Sequence, residues 1–129
     1  MNFRVLTKQS TLGEQYGGTS GQHYVFETLH GMDNAGAGLS VGVNGISVYE
    51  HGSDYMSARA VYEGSIGTGW NHVIIVYENK QPFIYLNSVM VREGLTSQRN
   101  AVYPPHEIGG GQYGYFEGVI DDVVYIIEH

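Results

Sequence analysis

The sequence contains no cysteine, which excludes disulfide bonds and thiolate sites without fixing the cellular compartment. Proline is scarce, with 3 residues, whereas the 19 glycines exceed the usual share of a globular chain. Only 6 basic residues oppose 13 acidic ones, and they are scattered, so nucleic acid and anionic membranes are poor partners. No apolar run reaches the ~18 residues of a spanning helix, so no membrane insertion is expected. The 129 residues suit one domain, residues 1–129, with its own core.

The remaining pattern predicts strands. No segment keeps the i, i+3, i+4, i+7 apolar spacing of a helix, and strand-like runs recur at roughly the 8–12-residue spacing typical of sandwiches and barrels. The predicted strands are residues 3–8, 24–26, 39–43, 46–49, 58–62, 72–78, 83–86, 89–92 and 115–127, the last being the longest. Long loops are expected at residues 9–21 and 96–105. The sequence therefore predicts an all-β, antiparallel, two-sheet sandwich.

Two-residue turn signals indicate how several of these strands are connected. Asn44-Gly45 predicts a two-residue type I′ hairpin, because such a turn needs positive φ at both central positions. Two further turns, at residues 79–80 and 87–88, would join strands 72–78, 83–86 and 89–92 into a meander. Strand 72–78 is apolar on both faces and is expected to be a central strand covered on both sides.

Three segments, taken in order, resemble the concanavalin A-like, laminin G-like jelly-roll family. They are the strand that begins at Trp70, the hairpin at residues 83–88 and the closing strand at residues 115–125. Residues 36–52 are also similar to a bacterial subset of such modules, found inside large cell-surface or secreted proteins. Ser88 stands where the family's hairpin has glycine, and the family's opening strand is weak before Tyr24.

This resemblance implies a jelly-roll sandwich with one curved sheet. It also implies a binding role, for glycans or partner proteins, and a structural calcium ion in some members. Relatives that hydrolyse glucans carry a Glu-x-Asp-x-Glu strand, and no such pattern occurs here. Six histidines are scattered without the spacing of a metal site. We therefore expect a protein that is not an enzyme and that requires no cofactor.

The adjacent carboxylates Asp121 and Asp122 allow three interpretations. One side chain caps backbone donors at a strand bulge, or one binds calcium together with loop carbonyls, or the charges are simply exposed. Asp33 and Asn34, in a glycine-rich loop, are a second calcium candidate, although an Asx turn also explains them. These four residues are the candidate metal ligands.

Tyrosine is the commonest aromatic residue, with 11 copies, and flat rings stack on the C–H faces of sugars. Tyr77, Tyr85 and Tyr125 lie inside strand runs and are expected in the core. Tyrosines in loops are better placed to contact a ligand. The candidate glycan-binding residues are Tyr55, His51, Asp54, Arg59, Tyr113 and Tyr103. The alternative is that these rings only hold their loops against the sandwich.

The leading functional hypothesis is a non-catalytic module that binds carbohydrate or a cell-surface glycoprotein. It would work in a larger protein that is extracellular or at the cell surface. The first alternative is a structural or protein-interaction module without a small-molecule ligand, and a weaker one is a glycan hydrolase or lyase. A homo-oligomer formed through sheet edges is a further expectation.

Overall fold

The computed structural model describes residues 2–7, 26–27, 34–51, 56–66, 69–105, 107–108, 110–111, 114–115 and 118–124. These ranges hold strands and no helix, hence no helix able to cross a membrane. The strands are β1 Asn2–Thr7, β2 Phe26–Glu27, β3 Asn34–Gly42, β4 Gly45–His51, β5 Met56–Glu63, β6 Asn71–Glu78, β7 Gln81–Leu86, β8 Val89–Glu93, β9 Ala101–Tyr103, β10 Glu107–Ile108, β11 Gly110–Gly111, β12 Gly114–Tyr115 and β13 Gly118–Val124.

Two sheets carry most of these strands. The first is five-stranded, in the order β13-β1-β6-β7-β8. The second runs β10-β2-β3-β4-β5, with β9 added alongside β3 as the one parallel neighbour among the described strand pairs. Strands β11 and β12 form a separate two-stranded ladder. Apart from the β3–β9 pair, the ladders are antiparallel, as the sequence predicts.

The core lies between the two sheets. Inward-facing residues of both sheets share one buried apolar cluster. The five-stranded sheet contributes Val5, Val73, Ile75 and Ile84, and the other sheet contributes Leu39, Val41, Ile46, Val48 and Ala60. Because side chains from both sheets meet in one cluster, the described chain is an all-β structure of two facing sheets, consistent with the predicted β-sandwich.

The two sheets differ in how their outer faces are covered. Strand β6 is central, but its outer face carries the half-buried Ile74 and Val76, which is 38% exposed, so the prediction that it is covered on both sides is wrong. Strand β4 is instead buried on both faces, since Tyr49 and His51 alternate with the core residues and are also buried. Tyr85 pairs with Ile74 on the half-exposed outer face, so its predicted core position is wrong, whereas Tyr77 faces inward as expected.

The β3–β4 hairpin exists, but its turn is one residue earlier than predicted. Gly42 pairs with Gly45, so the central residues are Val43 and Asn44, and neither has positive φ. The predicted type I′ turn at Asn44-Gly45 is therefore wrong. Gly45 is instead the first residue of β4 and has φ of +152°. A Cβ atom at this position would collide with the backbone oxygen of Tyr62.

The other two predicted turns are confirmed. Asn79 and Lys80 have φ of 50° and 65°, and Asn87 and Ser88 have φ of 50° and 71°. Positive φ at both central positions is what type I′ hairpins require. Strands β6, β7 and β8 consequently form the predicted meander.

Two predicted segments are divided differently. The predicted loop 96–105 contains the short strand β9. The predicted closing strand 115–127 is represented by Tyr115 in β12 and by β13, so the longest described strand is β3, with 9 residues. Tyr125 lies outside the described residues. The first predicted strand, 3–8, corresponds to β1, which lies inside the five-stranded sheet.

Candidate functional site

A bulge in β13 places two carboxylates beside one guanidinium. Between the pairs Asn2–Val124 and Arg4–Asp121, β13 has one residue more than β1, and Asp122 has φ of 55°. The extra residue brings the two adjacent aspartates to the same side of the sheet. Arg4 Nη2 donates to Asp121 Oδ2 at 2.8 Å, and Arg4 Nε donates to Asp122 Oδ2 at 2.9 Å. Asp121 Oδ1 also accepts the N–H of Asp122 at 2.8 Å.

The guanidinium of Arg4 also lies over the indole ring of Trp70, with Cζ 5.1 Å from the ring centroid. This is cation–π geometry. The hydrogen bond that Arg4 donates to Asp121, followed by the charge of Asp122, raises the pKa of Arg4 above its ordinary value. Trp70 is nevertheless 45% exposed. The ring therefore has one side held by a charged group and a large remaining surface open to solvent.

The backbone that carries Trp70 is fixed by the buried Asn71. The Asn71 Nδ2 group donates to the carbonyl oxygens of Ile66 at 3.0 Å and Gly69 at 3.2 Å. Its Oδ1 accepts from Asn87 Nδ2 at 3.0 Å, which joins this segment to the β7–β8 turn. Asn87 also bonds the backbone of His72 in both directions. Both polar atoms of the Asn71 side chain therefore have hydrogen-bond partners, and these bonds fix the backbone that leads into β6.

A second polar cluster is buried between the sheets. Glu50 of β4 is 3% exposed, and its Oε1 accepts a hydrogen bond from Ser97 Oγ at 2.6 Å. Its Oε2 accepts a long hydrogen bond from the Tyr77 hydroxyl at 3.4 Å. Burial raises the pKa of Glu50, opposed by the Ser97 hydrogen bond and the charge of Arg59. Burial, reinforced by the Glu50 charge, raises the pKa of Tyr77 well above its usual range.

Arg59 completes this cluster through a bulge in β5. Val48 pairs with Ala60 and Tyr49 pairs with Ala58, so Arg59 is the extra residue. Its Nε lies 3.9 Å from Glu50 Oε1, yet this buried nitrogen has no hydrogen-bond partner. The cluster joins β4, β5 and β6 to the segment after β8, and its buried carboxylate has little access to a ligand. We assign it a structural role.

Of the predicted glycan-binding residues, the structure describes His51, Arg59 and Tyr103. His51 and Tyr103 both pair with Gly36 of β3, from its two sides. His51 is buried on the opposite face of β4 from Glu50, the residue that Arg59 approaches. Tyr103 is exposed at the end of β9. Tyr55, Asp54 and Tyr113 lie outside the described residues, so a shared site that includes them stays a prediction.

Two of the four candidate calcium ligands, Asp121 and Asp122, are paired with the guanidinium of Arg4. One oxygen of each carboxylate, Oδ2, accepts a hydrogen bond from the positively charged Arg4, and Asp121 Oδ1 accepts from the N–H of Asp122. This arrangement does not fit a calcium site, which takes six to eight oxygen ligands. Asn34 is half-buried at the start of β3, and Asp33 lies outside the described residues. Among the residues that the structure describes, no group of three or more His, Asp or Glu side chains could hold a metal ion.

Sequence reasoning missed the two residues around which both clusters form. These two residues are Arg4 and Glu50, and in the sequence Trp70 indicates only the start of a strand. A lone tryptophan beside glycine, in a chain otherwise rich in tyrosine, was the available signal for the exposed ring. Comparisons with protein-family models, curated proteins and solved structures found no match to this chain.

Proposed function

We propose that the chain is a non-catalytic carbohydrate-binding module and that Trp70 is its stacking platform. The observation that carries the proposal is the exposed indole ring, held on one side by Arg4. A ring that is already oriented loses little conformational freedom when a sugar stacks on it. The neighbouring carboxylates, together with His72, are suited to hydrogen-bond sugar hydroxyl groups.

The wider assignment follows the family resemblance. The two facing sheets, with the first and last described strands paired side by side, are compatible with a laminin G-like jelly roll. Such a module would recognise a glycan or glycoprotein as part of a larger extracellular or cell-surface protein. The ligand site that we propose lies on the outer face of the five-stranded sheet, whereas Tyr103 lies on β9 in the other sheet.

The test is binding to a panel of soluble and insoluble polysaccharides, measured by affinity electrophoresis and pull-down. Trp70 is the only tryptophan, so its fluorescence reports directly on the proposed site. We expect a bound glycan to change the emission, Trp70→Ala to abolish binding and Trp70→Phe to retain part of it.

Two matched variants locate the site. Leu95→Ala removes another exposed apolar side chain, outside the strands, and should leave binding unchanged. Tyr103→Ala tests the alternative site, which the sequence predicts at tyrosines in loops. Loss of binding in Tyr103→Ala together with full binding in Trp70→Ala would move the site away from the indole. A panel in which no glycan binds would reject the proposal.

A second candidate is a protein-interaction module without a small-molecule ligand. It is favoured by the exposed apolar residues Val76, Met90, Val119 and Val124 on the five-stranded sheet. Apolar surface that clusters on one face is typical of a docking site. This candidate would be supported if no glycan bound the purified chain and a neighbouring domain of the parent protein did bind it.

A further inference from the structure

The outer face of the five-stranded sheet has an apolar row beside the Trp70 site, formed by Val124, Ile74, Tyr85 and Met90 and interrupted at β1 by the polar Asn2. The register aligns Val124 with Asn2, Asn2 with Ile74, Ile74 with Tyr85, and Tyr85 with Met90. With neighbouring strands about 4.8 Å apart, this row crosses the sheet over roughly 19 Å. Its two ends are open, since Val124 is 48% exposed and Met90 is 47% exposed.

A polar row runs parallel to this apolar row. Arg4 pairs with Asp121 on one side and with His72 on the other, two residues further along the strands. Two residues correspond to about 7 Å along a strand. Trp70 lies next to this polar row because its ring contacts Arg4. The face therefore places stacking groups and hydrogen-bonding groups in adjacent rows.

We infer that this face binds an extended, uncharged polysaccharide chain, which runs from Trp70 across the apolar row. The inference rests on the proposed function and adds the class of ligand. A single sugar covers about one aromatic side chain and would leave most of the row bare. A chain of sugars presents C–H faces and hydroxyl edges together, which matches the adjacent apolar and polar rows.

The charges of the face select against acidic glycans. Asp121 and Asp122 share one Arg4, which leaves a surplus negative charge in the polar row. Glu78 and Glu93 lie on the same outer face by register, and the chain as a whole has a net charge of −7. Uronate or sulfate groups would meet repulsion here, whereas an uncharged chain would not.

A second copy of the chain fits this face less well. Strands β13 and β8, at the two edges of the sheet, each contain an extra residue that interrupts regular pairing. Bulges in outer strands oppose edge-to-edge pairing. Two copies carrying the same negative charge would also repel each other.

The test compares disaccharides with hexasaccharides of the gluco-, xylo- and manno- series, and adds heparin as an acidic chain. We expect the best hexasaccharide to bind at least about tenfold more tightly than its disaccharide, because more subsites are filled. Met90→Gln, which changes the exposed far end of the row, should weaken hexasaccharide binding several-fold and leave disaccharide binding unchanged. Leu95→Gln is the matched control.

The outcomes separate the two proposals. Equal affinity for short and long chains, tighter binding of heparin, or a hexasaccharide affinity that Met90→Gln does not alter would overturn the inference, and the Trp70 site would stand. Absence of binding to any of these sugars and to the wider panel would overturn both. An unchanged melting temperature for Met90→Gln establishes that the variant is folded.

Discussion

The carboxylate of Glu50 and the hydroxyl of Ser97 meet inside the sandwich at 2.6 Å, although 47 residues separate them in sequence. Ser97 belongs to the segment after β8, whose backbone also bonds both sheets. Leu95 N–H donates to Arg59 O at 2.7 Å, and Ser97 N–H donates to Lys80 O at 2.8 Å. The Glu50–Ser97 bond therefore holds a connecting segment across the end of the core.

The first prediction concerns pH. Burial raises the pKa of Glu50 above its ordinary value of 4.5, so the folded protein binds more protons than the unfolded chain between the two pKa values. Stability from this group is fully present below the unfolded pKa and is lost as pH rises through the folded pKa. Glu50→Gln removes this dependence, so its stability relative to the wild type should increase with pH across this range.

Urea unfolding of both proteins at a series of pH values measures that difference. Comparing the two proteins cancels the titration of the other carboxylates. If the free energies of unfolding ran parallel across the series, Glu50 would have no raised pKa in the folded state.

The second prediction removes the donor to this carboxylate. Ser97→Ala leaves a buried charge with one hydrogen bond fewer, and it also removes the acceptor for the N–H of Arg99. Hydrogen bonds to charged groups contribute about 1.5–3 kcal/mol, so we expect a loss of that size in the free energy of unfolding. Ser65→Ala, at an exposed serine, is the matched control and should change little.

A double-mutant cycle with Glu50→Gln checks the assignment. Because the amide of glutamine is uncharged, Ser97→Ala should cost less in the Glu50→Gln background than in the wild type. Additive costs would mean that the hydroxyl does not act through Glu50.

The third prediction concerns Gly45. A Cβ atom at this position would collide with the backbone oxygen of Tyr62, and φ is +152°. Gly45→Ala should therefore lower the free energy of unfolding by about 1–3 kcal/mol. Gly69→Ala is the control, because no atom lies within 4 Å of its Cβ position. Equal melting temperatures for the two variants would show that the β4–β5 contact can adjust.

The sequence predicted those parts of the fold that depend on local signals. Positive φ at Asn87 and Ser88 follows from a two-residue turn between apolar strands, and a bulge or bend was expected at the Asp pair. The partner of that pair could not be predicted, because Arg4 and Asp121 are 117 residues apart in sequence. Their contact depends on β1 lying beside β13, and no local pattern determines that pairing.

The position of Glu50 illustrates a second limit. Every residue of β4 is buried, whereas an alternating pattern would place Glu50 and its neighbours on an open face. A carboxylate in such a strand is tolerated only because Ser97, Tyr77 and Arg59 surround it, and each comes from a different segment. Burial of this kind is set by tertiary packing, which a single-sequence pattern does not contain.

The fourth prediction is a gain in stability. Ser88 has φ of 71°, in the left-handed region that costs a residue with a Cβ atom about 1–2 kcal/mol. Ser88→Gly relieves that cost and also increases the freedom of the unfolded chain, so we expect a net gain of about 0.5–1 kcal/mol. Ser65→Gly, where φ is not positive, should instead lose stability. Thermal unfolding of the pair measures the contrast, and a gain in both or in neither contradicts the explanation.

The fifth prediction connects the fold to the proposed ligand site. Asn71→Asp keeps the acceptor for Asn87 but removes both donors to the carbonyls of Ile66 and Gly69. Loss of these two partly buried hydrogen bonds costs about 0.5–1.5 kcal/mol each, so the free energy of unfolding should fall by at least about 1 kcal/mol. Because Trp70 lies between Gly69 and Asn71, its ring should also lose its fixed position.

Below the melting temperature of the variant, we expect a shift in tryptophan fluorescence and weaker glycan binding. Asn100→Asp, at an exposed asparagine, should change neither. Full binding by a destabilised Asn71→Asp protein would mean that the platform does not depend on this anchor.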